Sequence, residues 1–116
     1  MSLQSVGSGK MMLIFIDEDD TFEHMPLYEA ILRRLRKLDV AGAQVFRGIM
    51  GYGSQHRIFG QGTLGIPDNR PITIVVIEQE EIISRAINEI KAIVGEGVIV
   101  VIDALIHPIH QHPPSS

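Results

Sequence analysis

The sequence contains no cysteine. Disulfides and thiolate chemistry are therefore excluded, and the absence fits the cytoplasmic location expected of this chain. No apolar run approaches the ~20 residues that a membrane-spanning helix needs, so no membrane insertion is expected. Residues 1–10 lack the apolar core of a signal peptide. Positive charge is also in short supply: 10 Lys and Arg stand against 14 Asp and Glu, a formal net charge of −4. That balance offers no electrostatic basis for binding nucleic acid or an anionic membrane. Enzyme signatures are missing as well. There is no P-loop, no H-E-x-x-H pair and no credible nucleophile or general-base pair, so the expectation is a protein that is not an enzyme.

What is present is one domain's worth of chain, 116 residues, with aliphatics skewed toward Ile and Val. That skew favours strands and a buried sheet. Residues 11–16 form a continuous apolar run and read as a first strand. Pro26 suits the first position of a helix, where its missing N–H costs nothing. Leu27, Ile31, Leu35 and Leu38 then recur at helical spacing, with Arg33, Arg34, Arg36 and Lys37 largely off that stripe. Gly42 ends the connection, and residues 43–50 read as a second strand. Residues 51–70 form a long loop with five glycines and a turn signal at Pro67-Asp68-Asn69. Residues 72–77 read as a third strand. Glu78, Glu80 and Glu81 then place negative charge at the start of a second helix, where the dipole favours it. Ile83, Ala86, Ile87, Ile90 and Val94 give that helix its buried stripe, Gly95 its C-cap, and residues 98–102 a fourth strand. The folded domain is expected over 11–106, with loosely ordered tails at 1–10 and at the His- and Pro-bearing 107–116.

The order is β-α-β-β-α-β, an α+β ferredoxin-like sandwich with an antiparallel sheet. Residues 72–77 and 98–102 are apolar at nearly every position, hence on both sheet faces. Two helices on this plan cover one face. The other would be too large an apolar surface for a monomer, so self-association is expected.

Two glycine clusters border these strands. Gly51-Tyr52-Gly53 opens the long loop, and Gly95-Glu96-Gly97 precedes the last strand. Glycines there let backbone N–H groups face outward, which suits phosphate or another anion. A loop of this length is far beyond the ~2–5 residues of a hairpin connection. It is either a ligand-closing or partner-docking arm, with Gln55, His56 and Arg57 as its polar contacts, or a Gly-rich excursion with no ligand. Asp17, Glu18, Asp19 and Asp20 suit a hard cation but lack the spacing of a calcium loop, and a solvated loop is the favoured reading. His107, His110 and His112 are weak candidates for a transition metal. Acylphosphatases share the plan, but their phosphate-cradling first loop is absent. RNA-recognition modules share it too, but the strands here are aliphatic rather than aromatic.

The chain resembles the PII-like superfamily of trimeric signalling proteins and, more closely, the bacterial and archaeal family called domain of unknown function 190. The resemblance covers roughly residues 11–106. It rests on Glu18-Asp19-Asp20, Pro26-Leu27-Tyr28-Glu29-Ala30-Ile31, Gly42-Ala43, Arg47-Gly48-Ile49-Met50-Gly51-Tyr52-Gly53 and Val94-Gly95-Glu96-Gly97. It implies a homotrimer that binds a small anionic metabolite, foremost an adenine nucleotide, in clefts between subunits. The implied contacts are Gly51, Tyr52, Gly53, Gln55, Arg57, Gly95, Glu96 and Gly97. The 51–70 loop would dock on a partner, with a membrane transporter as the implied target. The sequence departs from true PII proteins in carrying Ser54 in place of an Arg and Val98 in place of a Lys, and Ile109 and His110 lie where basic residues are found. With no Tyr between Gln55 and Arg70, control by tyrosine uridylylation is not expected. Fewer cations favour a mono- or diphosphate over ATP. The alternative is a divalent-metal-binding trimer similar to the copper-tolerance branch of the same superfamily, using the His cluster or the acidic loop.

Overall fold

The computed structural model describes residues 6–52, 58–59 and 70–109. Four main strands, β1 (Gly7–Asp17), β2 (Ala43–Arg47), β3 (Pro71–Glu78) and β4 (Val98–Ile106), make one sheet. Helix α1 (Leu27–Lys37) follows β1, and α2 (Glu80–Lys91) follows β3. The strand order is β2-β3-β1-β4, and all three pairings are antiparallel. This is the expected ferredoxin-like sandwich. Two crossovers of the β-α-β type put both helices on one face.

That face holds the core. Met12, Ile14 and Ile16 of β1 and Ile72, Ile74 and Val76 of β3 alternate inward. They meet Leu27, Ala30, Ile31 and Leu35 of α1 and Ile83, Ala86 and Ile90 of α2. Period two on the strands and period 3.6 on the helices converge on one apolar layer. Ile87 and Val94, expected in the α2 stripe, pack at its margin, and Ile93 is buried with it. An ion pair, Arg34 to Glu89 at 3.7 Å, links the two helices outside the core.

Among the described residues, the opposite face has no such cover. Phe46, Thr73, Val75, Ile77, Phe15, Leu13, Met11, Val98, Val100 and Ile102 share it by register. Phe46 is 51% exposed, Val98 57% and Ile102 44%. Isolated exposed aliphatics are ordinary, but a contiguous sheet face of them is not.

Several boundaries differ from the sequence reading, for identifiable reasons. β1 begins at Gly7, not residue 11, and β4 runs on to Ile106, not residue 102. Gly7, Ser8 and Gly9 carry no apolar pattern, and they join the sheet because Ile106, Leu105 and Ala104 offer them a backbone ladder. Gly9 is needed there: a Cβ would stand 3.0 Å from the Glu78 carbonyl and strike the Ile106 side chain. β2 stops at Arg47, leaving Ile49 and Met50 exposed rather than paired. Helix α2 ends with Ala92 as its C-cap, so Gly95 lies in the turn beyond and does not cap it. At the end of α1 the left-handed residue is Asp39, with φ 59°, not a glycine.

Glu78 is the main departure in the core. It closes β3 instead of opening α2, and it is completely buried. Its carboxylate accepts from the Ala41 N–H at 2.8 Å and from the Gln79 N–H at 2.7 Å. A buried carboxylate is tolerable when it satisfies backbone donors in this way. It ties the α1–β2 connection to the start of α2.

The segment between β1 and α1 contains a small hairpin in which Thr21 and Phe22 pair with Pro26 and Met25. Its two turn residues, Glu23 and His24, have φ of 48° and 69°. Two-residue hairpins favour turns with both residues at positive φ, and Asn-Gly is the usual occupant. Glu and His adopt this conformation at a cost. The double substitution E23N/H24G is expected to raise stability by about 1 kcal/mol in chemical denaturation, with the fold unchanged. A lower midpoint would show that these side chains make stabilising contacts that outweigh the backbone strain.

Candidate functional site

One end of the sheet collects the glycine turns. The C-terminal ends of β1 and β2 and the N-terminal ends of β3 and β4 meet there, with Asp17 opposite Pro71, Arg47 opposite Ile72 and Phe15 opposite Val98. The first turn leaves β2 at Gly48, whose N–H donates to the Pro71 carbonyl at 2.7 Å. A Cβ on Gly48 would stand 2.5 Å from the Pro71 ring, so glycine permits this close approach. Gly51 and Tyr52 then pair with Phe59 and Ile58 in a short antiparallel ladder at the root of the long loop. Gly53, Gln55, His56 and Arg57 lie outside the described residues.

The second turn approaches β1 from the other side. A Cβ on Gly97 would stand 2.9 Å from the Phe15 carbonyl and 3.1 Å from Ile16 Cγ2. Gly95 has open space around it, and Glu96 is exposed. The two turns therefore share one end of the sheet but flank opposite edges. Three inter-strand steps separate β2 from β4, about 14 Å. Two neighbouring chains meeting edge to edge would bring one turn from each together.

The loop root is fastened by a polar node that the sequence reading did not assign to the site. Glu18 Oε2 accepts from Arg47 Nε at 2.9 Å. Glu18 Oε1 accepts from the Arg70 N–H at 3.3 Å, and the Glu18 N–H donates to the Arg70 carbonyl at 2.9 Å. Arg70 Nη1 in turn donates to the Ile49 carbonyl at 2.6 Å. One carboxylate thus holds both legs of the loop beside the end of β1. A signal for it was in the sequence: Arg47 precedes the first glycine of the loop and Arg70 precedes the proline that opens β3.

Glu18's neighbours gather too. Asp17, Asp19 and Asp20 each offer a carboxylate oxygen, and these lie within 4.8 Å of one another. Part of that clustering is structural, since Asp20 Oδ2 accepts from the Asp17 N–H at 2.9 Å. Of the weak metal candidates, His107 is exposed beyond β4, and His110 and His112 lie outside the described residues.

At the opposite end of the sheet, a groove of about 820 Å³ runs between β1, β4 and the start of α2. Lys10 bridges it, paired with Asp103 and, at 3.6 Å, with Glu80. The Asp103 hydrogen bond raises the Lys10 pKa, and the same contact lowers that of Asp103. Both groups hold their ordinary charges, and among the described residues lining the groove the one cation, Lys10, is paired.

Comparison with known proteins agrees with this architecture. Residues 9–106 match DUF190, described as Uncharacterized ACR, COG1993. The chain belongs to this family. The UPF0166 protein of Aquifex aeolicus is 37% identical over 82 residues, 71% of this chain and 78% of that protein. Among solved structures, the chain is similar to CPII, a nitrogen regulatory PII-like protein from Thiomonas intermedia K12 bound to ADP, AMP and bicarbonate. That likeness has a TM-score of 0.65 at 17% identity and covers 88% of this chain and 98% of CPII. Similarity also extends to the divalent ion tolerance protein CutA1 of Ehrlichia chaffeensis, with a TM-score of 0.52 at 20% identity, covering 89% and 84%. At these identities the structural likeness establishes the PII-like fold. No helix among the described residues is long and apolar enough to cross a membrane.

The two turns respond differently to added side chains. Gly97→Ala forces a Cβ against the Phe15 carbonyl, and backbone cannot swing aside, so a loss of about 1–3 kcal/mol is expected in urea denaturation. Gly95→Ala meets open space and is expected to fall within about 0.5 kcal/mol of the parent. Equal effects at both positions would contradict the packing of Gly97 against β1.

Proposed function

We propose that this protein is a cytoplasmic PII-like ligand sensor. It binds a small anionic metabolite, foremost AMP or ADP, in clefts between the subunits of a homotrimer. The observation that carries the reading is the placement of both glycine turns at one end of the sheet, on opposite edges of a protomer whose second sheet face is apolar and, among the described residues, uncovered. Burying that face between copies supplies the driving force for assembly. Assembly supplies the juxtaposition of turns that a single chain lacks. Backbone donors at Gly51, Gly53, Gly95 and Gly97 would cradle the phosphates, with Gln55 and Arg57 as side-chain contacts. Tyr52 and Glu96 would stand beside them. The PII-like neighbour bound to ADP and AMP supports the ligand class.

Output would come from a population shift. The nucleotide favours one arrangement of the 51–70 segment, and a partner, with a membrane transporter as the favoured class, reads that arrangement. No group transfer is required of the site.

The alternative, a divalent-metal-binding trimer, draws on the clustered oxygens of Asp17, Asp19 and Asp20 and on the fold shared with CutA1. Both readings are separated by one set of measurements on the full chain. ADP at a hundredfold excess over its Kd is expected to stabilise the oligomer by about 2.7 kcal/mol, read as a rise in Tm. Gly95→Asp, which adds a carboxylate where there is room for it, should remove that rise while leaving the unliganded Tm near the parent's. A rise with divalent metals and none with adenine nucleotides would replace the sensor reading with the metal one.

Assembly has its own test. Leu13 sits mid-face on β1, opposite Val75 on one side and Val100 on the other. Leu13→Lys is expected to convert trimers to monomers in sedimentation velocity. A monomeric parent protein would remove the basis for an intersubunit site.

A further inference from the structure

The node at the loop root holds the Arg47 guanidinium and the Arg70 backbone N–H against one carboxylate. Arg47 spends its Nε on Glu18, and the Arg70 backbone closes a reciprocal pair with the same residue. The Arg70 side chain reaches back to Ile49, so both arginines border the stretch from Gly48 to Gly51. A carboxylate seated on an arginine presents two oxygens in the geometry that a phosphate presents. Arg47 is the more exposed partner, with 54% of its side chain accessible against 28% for Glu18. An exchange of acceptors there needs no rearrangement of the core.

We propose that Arg47 and Arg70 form a phosphate subsite at the loop root, which Glu18 fills in the absence of ligand. The inference rests on the reading that an anionic metabolite binds at this end of the sheet. It adds positive charge to a site whose other proposed cation is Arg57. A phosphate replaces the Glu18 carboxylate on Arg47 and beside Arg70 and does not join it, because both would accept from the same donors. In that exchange Glu18 moves to water, and the tie it makes between β1 and the two legs of the loop is released. The ligand thereby loosens the contact that fixes the loop root. Glu18 acts as a built-in competitor that sets the affinity.

The test uses inorganic pyrophosphate as probe, followed by titration calorimetry on the full chain, with four variants beside the parent. Glu18→Gln keeps the side chain's shape and removes the competing charge. It is expected to bind pyrophosphate about tenfold more tightly than the parent, the loss of one charge-assisted competitor. Adding Arg47→Gln, or in a separate variant Arg70→Gln, to Glu18→Gln is expected to remove that gain. Asp39→Asn controls for net charge, because it deletes one negative charge at the C-terminal end of α1, away from the glycine turns. It is expected to leave binding at the parental value. A purely structural staple predicts the reverse for Glu18→Gln, with a lower Tm and pyrophosphate affinity unchanged. That result overturns the subsite, as does an equal gain from Asp39→Asn, or no pyrophosphate binding by parent and Glu18→Gln alike. ADP titrated into the same proteins keeps the two readings apart. ADP binding that ignores Glu18 and Arg47 leaves the sensor standing without this subsite. Pyrophosphate binding controlled by Glu18, with no affinity for adenine nucleotides, leaves the subsite standing with a different ligand.

Discussion

A sheet that is apolar on both faces and covered by helices on one has an unfinished burial problem, and most of this molecule's organisation follows from it. The helix-covered face closes a core of Ile, Val, Leu and Met side chains from two strands and two helices. The other face, running from Phe46 across Val75 and Leu13 to Val100, uses the same residue types. Each buried Val or Ile contributes on the order of 1.5–3 kcal/mol when removed from water, so leaving this face wet forgoes a large part of what the sequence offers. The proposed association would recover that free energy between copies of the chain. The geometry of the glycine turns, one at each edge, then acquires a meaning that it lacks in a single chain.

The two ends of the sheet are built differently, and charge makes the difference. At one end Lys10 is held between Asp103 and Glu80, and Glu78 is buried against backbone donors. That end joins strands to helices. At the other, Glu18 pairs with the Arg47 guanidinium and accepts from the Arg70 N–H, so it meets both legs of a long loop, next to three further carboxylates and two glycine turns. Exposed pairs of this type contribute little to stability, a median of about 0–1 kcal/mol. Under the exchange proposed above, their importance lies in which acceptor Arg47 holds.

Glycine has separate roles along this chain. Gly48 and Gly97 are required by close approach, to the Pro71 ring and to the Phe15 carbonyl. Gly95 is bounded by nothing, so its lack of a side chain keeps the turn open instead of fitting it to a neighbour. Among the described residues, positive φ is carried by others: Glu23, His24 and Asp39 take left-handed conformations that glycine would hold more cheaply. Composition alone assigns all these positions to "turn" and cannot separate contact from conformation.

The sequence by itself determined the element order, the antiparallel ferredoxin-like plan, the helix stripes and the second apolar face. All of these are local periodicities, legible because side chains repeat every 2 or 3.6 residues whatever the rest of the chain does. It also marked the glycine clusters, by composition and by resemblance. Only the tertiary structure decided where the strands end, because Gly7, Ser8 and Leu105 are recruited by backbone pairing across a separation of nearly the whole chain. Only it turned Glu78 from a helix-opening charge into a buried carboxylate, and Glu18, Arg47 and Arg70 into one node. Those assignments depend on which distant donor arrives beside which acceptor. No local pattern encodes that, because partners far apart in the chain meet only once the sheet is assembled.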